Sequence, residues 1–372
     1  MAKRILITGG AGFIGSHLAD ELLRKGYLVR ALDCLSEQVH GPSPQRPDYL
    51  ASQVELIVGN VRDRAVLRTA LDGVDAVYHL AAKVGVGQSM YQIAKYTADN
   101  NQATAVLLEE LSEHPVERLI VASSMSIYGE GYYQTAAGKR VSGKERSLEQ
   151  LKAREWELRD DEGNILSPIP TAESKTPALS SIYALSKYDQ ERMCLIFGRA
   201  YRIPTVALRF LNVYGPRQSL SNPYTGVLAI FASRLLQNKP VTIFEDGGQQ
   251  RDFVNVLDVA QACRLALEVP EAADQVFNVG SGQQFTVRDI AGHIARILDK
   301  EDIEPEITEQ YRVGDIRHCF ADISHAQRLL GYKPRFSFER GMEELAEWLA
   351  GQIVVDSRGD AKDELSIRGL TV

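Results

Sequence analysis

The chain has 372 residues, 44% of them hydrophobic, enough for one large domain or two ordinary ones with a proper core. A net charge of -7 without a basic cluster excludes nucleic acid as the main partner, because a phosphate backbone demands concentrated positive charge. The apolar stretch 5–14 is interrupted by Thr8 and several glycines, which fits neither a signal peptide nor a membrane span, so a cytoplasmic location without membrane association is expected. Cys34, Cys194, Cys263 and Cys319 are widely spaced with no C-x-x-C pair, so free thiols are expected and no metal site.

Short β-rich runs at 4–8, 28–32, 54–58, 76–80, 119–122 and 205–209 alternate with helical periodicity at 15–25, 63–71, 98–112 and 183–201. That alternation predicts an α/β fold with a Rossmann-type, doubly wound parallel sheet covered by helices on both faces. The first strand runs directly into Thr8, Gly9, Gly10, Ala11, Gly12, Phe13, Ile14 and Gly15, followed by a helix. Glycines let backbone approach a pyrophosphate, whose charge is favoured by the free N–H groups at a helix N-terminus. Gly9, Gly12, Phe13, Ile14 and Gly15 are therefore candidate dinucleotide contacts, and Asp33, 18 residues beyond Gly15, ends the second strand. A carboxylate there accepts from ribose hydroxyls and repels a 2′-phosphate, which points to NAD over NADP.

The segment 129–180 is long for a strand-to-helix connection and highly charged within 144–161, with Leu148, Leu151 and Trp156 as sparse apolar points. Such a length suggests a functional lid or disorder. Tyr183 and Lys187 then stand one turn apart at the start of a helix, on one face. A neighbouring cation favours phenolate, so the Tyr183 pKa is expected below the usual value of about 10, making it a base. Ser124, at the end of a sheet strand, joins them at the carboxyl edge, where open α/β sheets bind ligands.

These motifs resemble those of the extended short-chain dehydrogenases/reductases of the NAD-dependent epimerase/dehydratase family, over about residues 3–350. Further carriers are His79 to Ala82, Asn100, Ser124 with Tyr128 and Gly129, Leu208 to Arg217, and Arg251 to Val254. The resemblance implies NAD as cofactor, with Tyr183 as base, Lys187 binding the nicotinamide ribose and Ser124 sharing the reacting oxygen. It implies adenine contacts at Asn60 and Val61, where the family's usual Asp is replaced by Asn60. Leu80, Ala81 and Ala82 run beside the cofactor, with Asn100 nearby and Phe210 at the nicotinamide. His79 reads as a core histidine, and His318 is left open between structure and substrate.

On the substrate side the resemblance implies a nucleotide-diphosphate sugar, with Asn212, Arg251 and Arg312 at the pyrophosphate, Asp315 at a ribose and Phe244 beside the base. Guanidinium forks suit phosphate oxygens. Ser124, Ser126 and Tyr183 would face the sugar, and Cys319 lies where hexose epimerases limit its bulk. The family's 4,6-dehydratases carry Asp-Glu after the Ser/Thr, and its decarboxylases a Glu at the second place. Here Met125 and Ser126 stand there. The implied reaction is 4-epimerisation, of the dTDP-L-rhamnose or UDP-hexose type. The alternatives are a dehydratase, decarboxylase or oxidoreductase of the same family and, in another class, a non-catalytic NAD-binding regulator.

The expected division is an NAD-binding domain over 1–212 with 252–280 returning to it, and a sugar-binding lobe from 213–251 and 281–350. A flexible tail is expected over 351–372. The resemblance also implies a homodimer pairing helices 98–112 and 183–201.

Overall fold

The apolar runs assemble into a seven-stranded parallel sheet in the computed structural model, which describes residues 2–42, 45–219, 226–312, 314–351 and 367–368. The strands are β1 (Arg4–Thr8), β2 (Leu28–Asp33), β3 (Glu55–Val58), β4 (Ala76–His79), β5 (Arg118–Ser124), β6 (Thr205–Phe210) and β7 (Val276–Val279). Their spatial order is β3-β2-β1-β4-β5-β6-β7. Thr8 stands opposite Leu32 on one side and His79 on the other, so the order reverses at β1 and opens a crevice there. The six predicted strands are present with small shifts at their ends; β7 was not singled out as a strand.

Side chains alternate across β1. Ile5 and Ile7 join one core with Leu18 and Leu22 of α1 (Phe13–Arg24) and Val259 and Ala262 of α5 (Val256–Glu268). Leu6 joins the opposite core with Leu67 of α2 (Arg64–Leu71), Leu107 and Leu111 of α3 (Ala103–Glu113) and Cys194 of α4 (Ile182–Tyr201). Polar side chains cap two of these helices: Asp63 accepts from the Ala65 and Val66 amides at α2, and Ser181 from the Ala184 amide at α4. The predicted helix 98–112 departs in one respect. It opens as a π-helical turn, Thr97–Gln102, before α3 begins.

The insert is not a bare loop. Tyr132–Gln134 pairs antiparallel with both Arg140–Ser142 and Ser167–Ile169, over a small core of Tyr133, Leu158 and Leu166. Most of its charges are exposed, but Arg146 and Glu157 turn toward the second lobe. Arg317, 1% exposed, receives Glu157, Glu245 and Asp246, while Arg146 holds Glu245 at 2.8 Å.

The second lobe has its own core, formed by Val227–Leu236, Val287–Ile297 and Phe338–Ala350 around Phe231, Ile243, Ile294 and Leu345. Cys319, Ala321, Ala326, Leu330 and Tyr332 pack into the sheet core. The tail lies outside the described residues apart from 367–368. No helix among the described residues is long and apolar enough to cross a membrane. All four cysteines are free thiols.

Candidate active site

One cavity of about 1450 Å³ runs across the crevice, large enough for two ligands of nucleotide size. Its first wall is the glycine turn. Gly9 has φ +73°, and a Cβ on Gly15 would stand 2.3 Å from the Gly9 carbonyl oxygen, so the close turn excludes side chains. Helix α1 begins at Gly12 without a side-chain cap or an acid in its first turn, which leaves its amide dipoles to an anion in the cavity. The Asp33 carboxylate accepts the Ala11 amide at 3.0 Å and the Leu35 amide at 2.9 Å. Two such bonds leave further lone pairs for ribose hydroxyls. Gly9, Gly12, Phe13, Ile14, Gly15, Asp33, Asn60, Val61 and Leu80 to Ala82 all line this end. Asn60 spends its carbonyl on the Arg62 amide at 2.9 Å and on the Arg62 side chain at 3.2 Å. These features fit an NAD molecule.

The sheet's carboxyl edge brings the next group together. Ser124 and Phe210 are register neighbours on β5 and β6, and both line the cavity with Ser126, Tyr183 and Lys187. Ser126 donates to Ser124 Oγ at 2.9 Å, and the Ser124 hydroxyl lies near enough to the Tyr183 phenol to favour its ionised form. Helix α4 is fixed against the strands by a buried carboxylate: Glu191 accepts from Ser123 at 2.6 Å and from Arg209 at 2.9 and 2.7 Å. Two amides at the start of α4 are satisfied from side chains, Ala184 by Ser181 and Tyr183 by the buried Ser89 hydroxyl at 3.0 Å. Tyr96 packs edge-on against the Tyr183 ring, centroids 6.4 Å apart.

One expectation is corrected here. The Tyr183 phenol is pushed up rather than down, because desolvation deep in the cavity outweighs the effect of the Ser124 hydroxyl. Lys187 does not turn its ammonium to the phenol but donates to Gln190 Oε1 at 2.7 Å, and burial lowers its own pKa to about 8. Asn100 is also placed differently. It is fully buried and does not line the cavity; it ties Lys83 to Ser186 of α4 at 2.9 Å. Ser89, Tyr96 and Gln190 carry no signal in the local sequence pattern and join the site only through long-range or rotamer-dependent contacts.

His79 proves to be a core histidine, between Thr8 at 2.8 Å and Thr104 at 2.9 Å. Burial, then the Lys187 charge, lowers its pKa to about 3, and burial lowers His17 to about 4. Both stay neutral in the folded protein while the unfolded chain takes up protons near pH 6.5. Their contribution to stability is thus present above pH 6.5 and is lost on acidification, with a slope approaching about 1.4 kcal/mol per pH unit for each. Thermal melts are expected to move to lower temperature between pH 6.5 and 4, less steeply in His17→Gln.

At the far end the cavity is lined by Asn212, Phe244, Arg251, Arg312 and Asp315. Asn212 donates to the Asp252 carbonyl at 3.0 Å and meets the Met125 sulfur at 3.4 Å. The Arg251 guanidinium donates to the carbonyls of Gln250, Ile316 and Arg317. Arg312 lies over the Phe244 ring and forks onto Asp315 at 2.8 and 2.7 Å, so two residues expected at separate ligand groups meet each other. Their pair is partly exposed, hence weak and easily exchanged for a ligand contact. Cys319 does not line the cavity; it is in register with Arg251 in a strand pair and is buried in the sheet core. His318 is buried, its ring 2.9 Å from Glu157, on the insert side.

A serine, a tyrosine and a lysine on the carboxyl edge of a doubly wound sheet are the arrangement of the short-chain dehydrogenases/reductases. Within that class the chain belongs to the NAD dependent epimerase/dehydratase family, whose profile matches residues 5–150 and 161–280. A dTDP-L-rhamnose 4-epimerase from Burkholderia thailandensis is 35% identical over 356 residues, covering 94% of this chain and 96% of that protein. Among solved structures, UDP-glucose 4-epimerase from Thermotoga maritima with UDP-glucose is 31% identical, with a TM-score of 0.77 over 93% of this chain and 98% of that one. UDP-glucuronic acid 4-epimerase from Bacillus cereus, in complex with UDP-glucuronic acid and NAD, is 28% identical, with a TM-score of 0.77 over 93% and 99%.

Proposed function

We propose that this chain is an NAD-dependent nucleotide-sugar 4-epimerase. The observation that carries this reading is the single cavity that joins the glycine turn, the Ser124–Tyr183 pair and the Arg251, Arg312 and Phe244 end, with Met125 and Ser126 where a dehydratase holds acids. Tyr183 takes the proton of the sugar C4 hydroxyl as C4 is oxidised, and Ser124 donates to the same oxygen. NAD held at the glycine-turn end of the cavity would supply a reversible hydride acceptor for C4, so that no net oxidation would result. After the 4-keto sugar turns over, reduction occurs on its other face and the Tyr183 phenol gives the proton back. Lys187, one turn along α4, would hold the nicotinamide ribose, and its charge would offset part of the burial penalty on the phenolate. At the far end, Arg251, Arg312 and Asn212 hold the diphosphate and Phe244 covers the base.

Solvent isotope separates this from the alternatives. In deuterium oxide with dTDP-L-rhamnose or a UDP-hexose, hydride return leaves C4 without solvent deuterium, whereas dehydration places deuterium on carbon. Solvent deuterium in the product would favour the dehydratase reading, and failure to turn over any nucleotide sugar would favour a binding regulator.

Asp33 selects the cofactor. Asp33→Asn keeps an acceptor for the Ala11 amide but removes the charge, and the ratio of NADP to NAD affinity is expected to rise by at least about tenfold. Fluorescence titration with each cofactor measures it. We further propose a cytoplasmic homodimer, which the free cysteines and the exposed apolar residues Leu185 and Ile196 of α4 support. The division into a sheet domain over 1–212 and 252–280 and a sugar-binding lobe is proposed with 319–332 joining the sheet domain.

A further inference from the structure

Beneath the cavity floor lies a hydrogen-bonded chain of buried side chains that starts at Lys187. Its ammonium donates to Gln190 Oε1 at 2.7 Å. The Gln190 amide nitrogen donates to Thr104 Oγ1 at 2.9 Å and lies 3.2 Å from His79 Nε2. His79 Nδ1 meets Thr8 Oγ1 at 2.8 Å, and that oxygen accepts the Ala81 amide at 3.2 Å. Thr8, His79, Thr104 and Gln190 are all fully buried. Thr8 precedes the glycine turn and Ala81 lines the cofactor end of the cavity.

We infer that Gln190 is a positioning residue: its amide fixes the Lys187 ammonium and ties it, through Thr104, His79 and Thr8, to the strand that carries the glycine turn. A neutral carboxamide suits this task. It accepts from the ammonium without neutralising it, so the positive charge stays available to Tyr183 one turn away. A carboxylate in its place forms an ion pair that consumes the charge, and an apolar side chain leaves a buried ammonium without its acceptor. Gln190 itself does not line the cavity, so it acts through Lys187 and not on the sugar.

The inference rests on the proposed roles of Tyr183 and Lys187, and the test separates the two. The pH dependence of kcat is measured for the NAD-loaded enzyme, Gln190→Glu, Gln190→Met and Tyr183→Phe on whichever nucleotide sugar the wild type turns over. With Gln190→Glu the acidic limb is expected to move up by about one pH unit, because Tyr183 keeps its proton longer beside a neutralised lysine. With Gln190→Met the alkaline limb is expected to move down by a similar amount, because an ammonium without its acceptor loses its proton sooner. KM for the sugar is expected to stay within about twofold in both. Lower melting temperatures with both limbs in place would mean a merely structural glutamine and would overturn the inference while leaving the Tyr183 reading intact. An active Tyr183→Phe would overturn the underlying reading, and this inference with it.

Discussion

Tyr183→Phe is expected to lower kcat by about 10³-fold while the purified protein keeps its NAD. The change removes one oxygen from the cavity and leaves the ring, so the edge-on contact with Tyr96 is kept. The helix start is untouched, because Ser89 and Ser181 bind backbone amides and not the phenol. What disappears is the group that takes the hydroxyl proton and the neighbour of the Ser124 hydroxyl. Single-turnover kinetics then separates chemistry from binding: substrate affinity is expected to change little, and formation of bound NADH to slow in proportion to kcat.

Arg317→Met is expected to be the most destabilising single change in the second lobe, at about 3–5 kcal/mol. The guanidinium is 1% exposed and makes five hydrogen bonds to three carboxylates, at 2.6 to 3.0 Å. Its loss leaves Glu245 with Arg146, Glu157 with the His318 ring and Asp246 with the Gly248 amide, three carboxylates without their shared cation. The linkage also joins the insert to the lobe, since Glu157 comes from one and Glu245 from the other. Denaturant unfolding measures the cost, and Glu157→Gln, at a partly exposed position, is the comparison expected to lose much less. An Arg317→Met protein within about 1 kcal/mol of wild type would show that the charges relax into solvent instead.

Much of this molecule is written in local spacing. The glycine turn, Asp33 and the helix beginning at Tyr183 each depend on residues within a few turns or one βαβ unit, and all were legible. The cavity's other partners come from far apart in the chain: Gln190 meets Thr104 86 residues away, and Ser89 meets Tyr183 across 94. No periodicity reports such pairs. The expected lowering of the Tyr183 pKa failed for a related reason. One-turn spacing puts Lys187 on the right face but does not report how deeply Tyr183 is buried, and desolvation of the phenol decides the direction of the shift.

Asn100 and Cys319 were placed by resemblance in the ligand's path, yet local geometry turns them elsewhere. The π-helical turn draws Asn100 into bonds with Lys83 and Ser186, and Cys319 contributes its side chain to the sheet core. The insert's length suggests a lid or disorder. What spacing does not report is that its short strands pair over Tyr133, Leu158 and Leu166 and that Arg146 and Glu157 pair with Glu245 and Arg317 of the distant lobe.

The central claim is tested most directly by incubating the purified protein with NAD and a panel of UDP-, dTDP-, GDP- and CDP-sugars, with products followed by NMR and mass spectrometry. The account predicts an isomer of unchanged mass, inverted at C4, with no net NADH. Loss of water or carbon dioxide, or accumulating NADH, would contradict it.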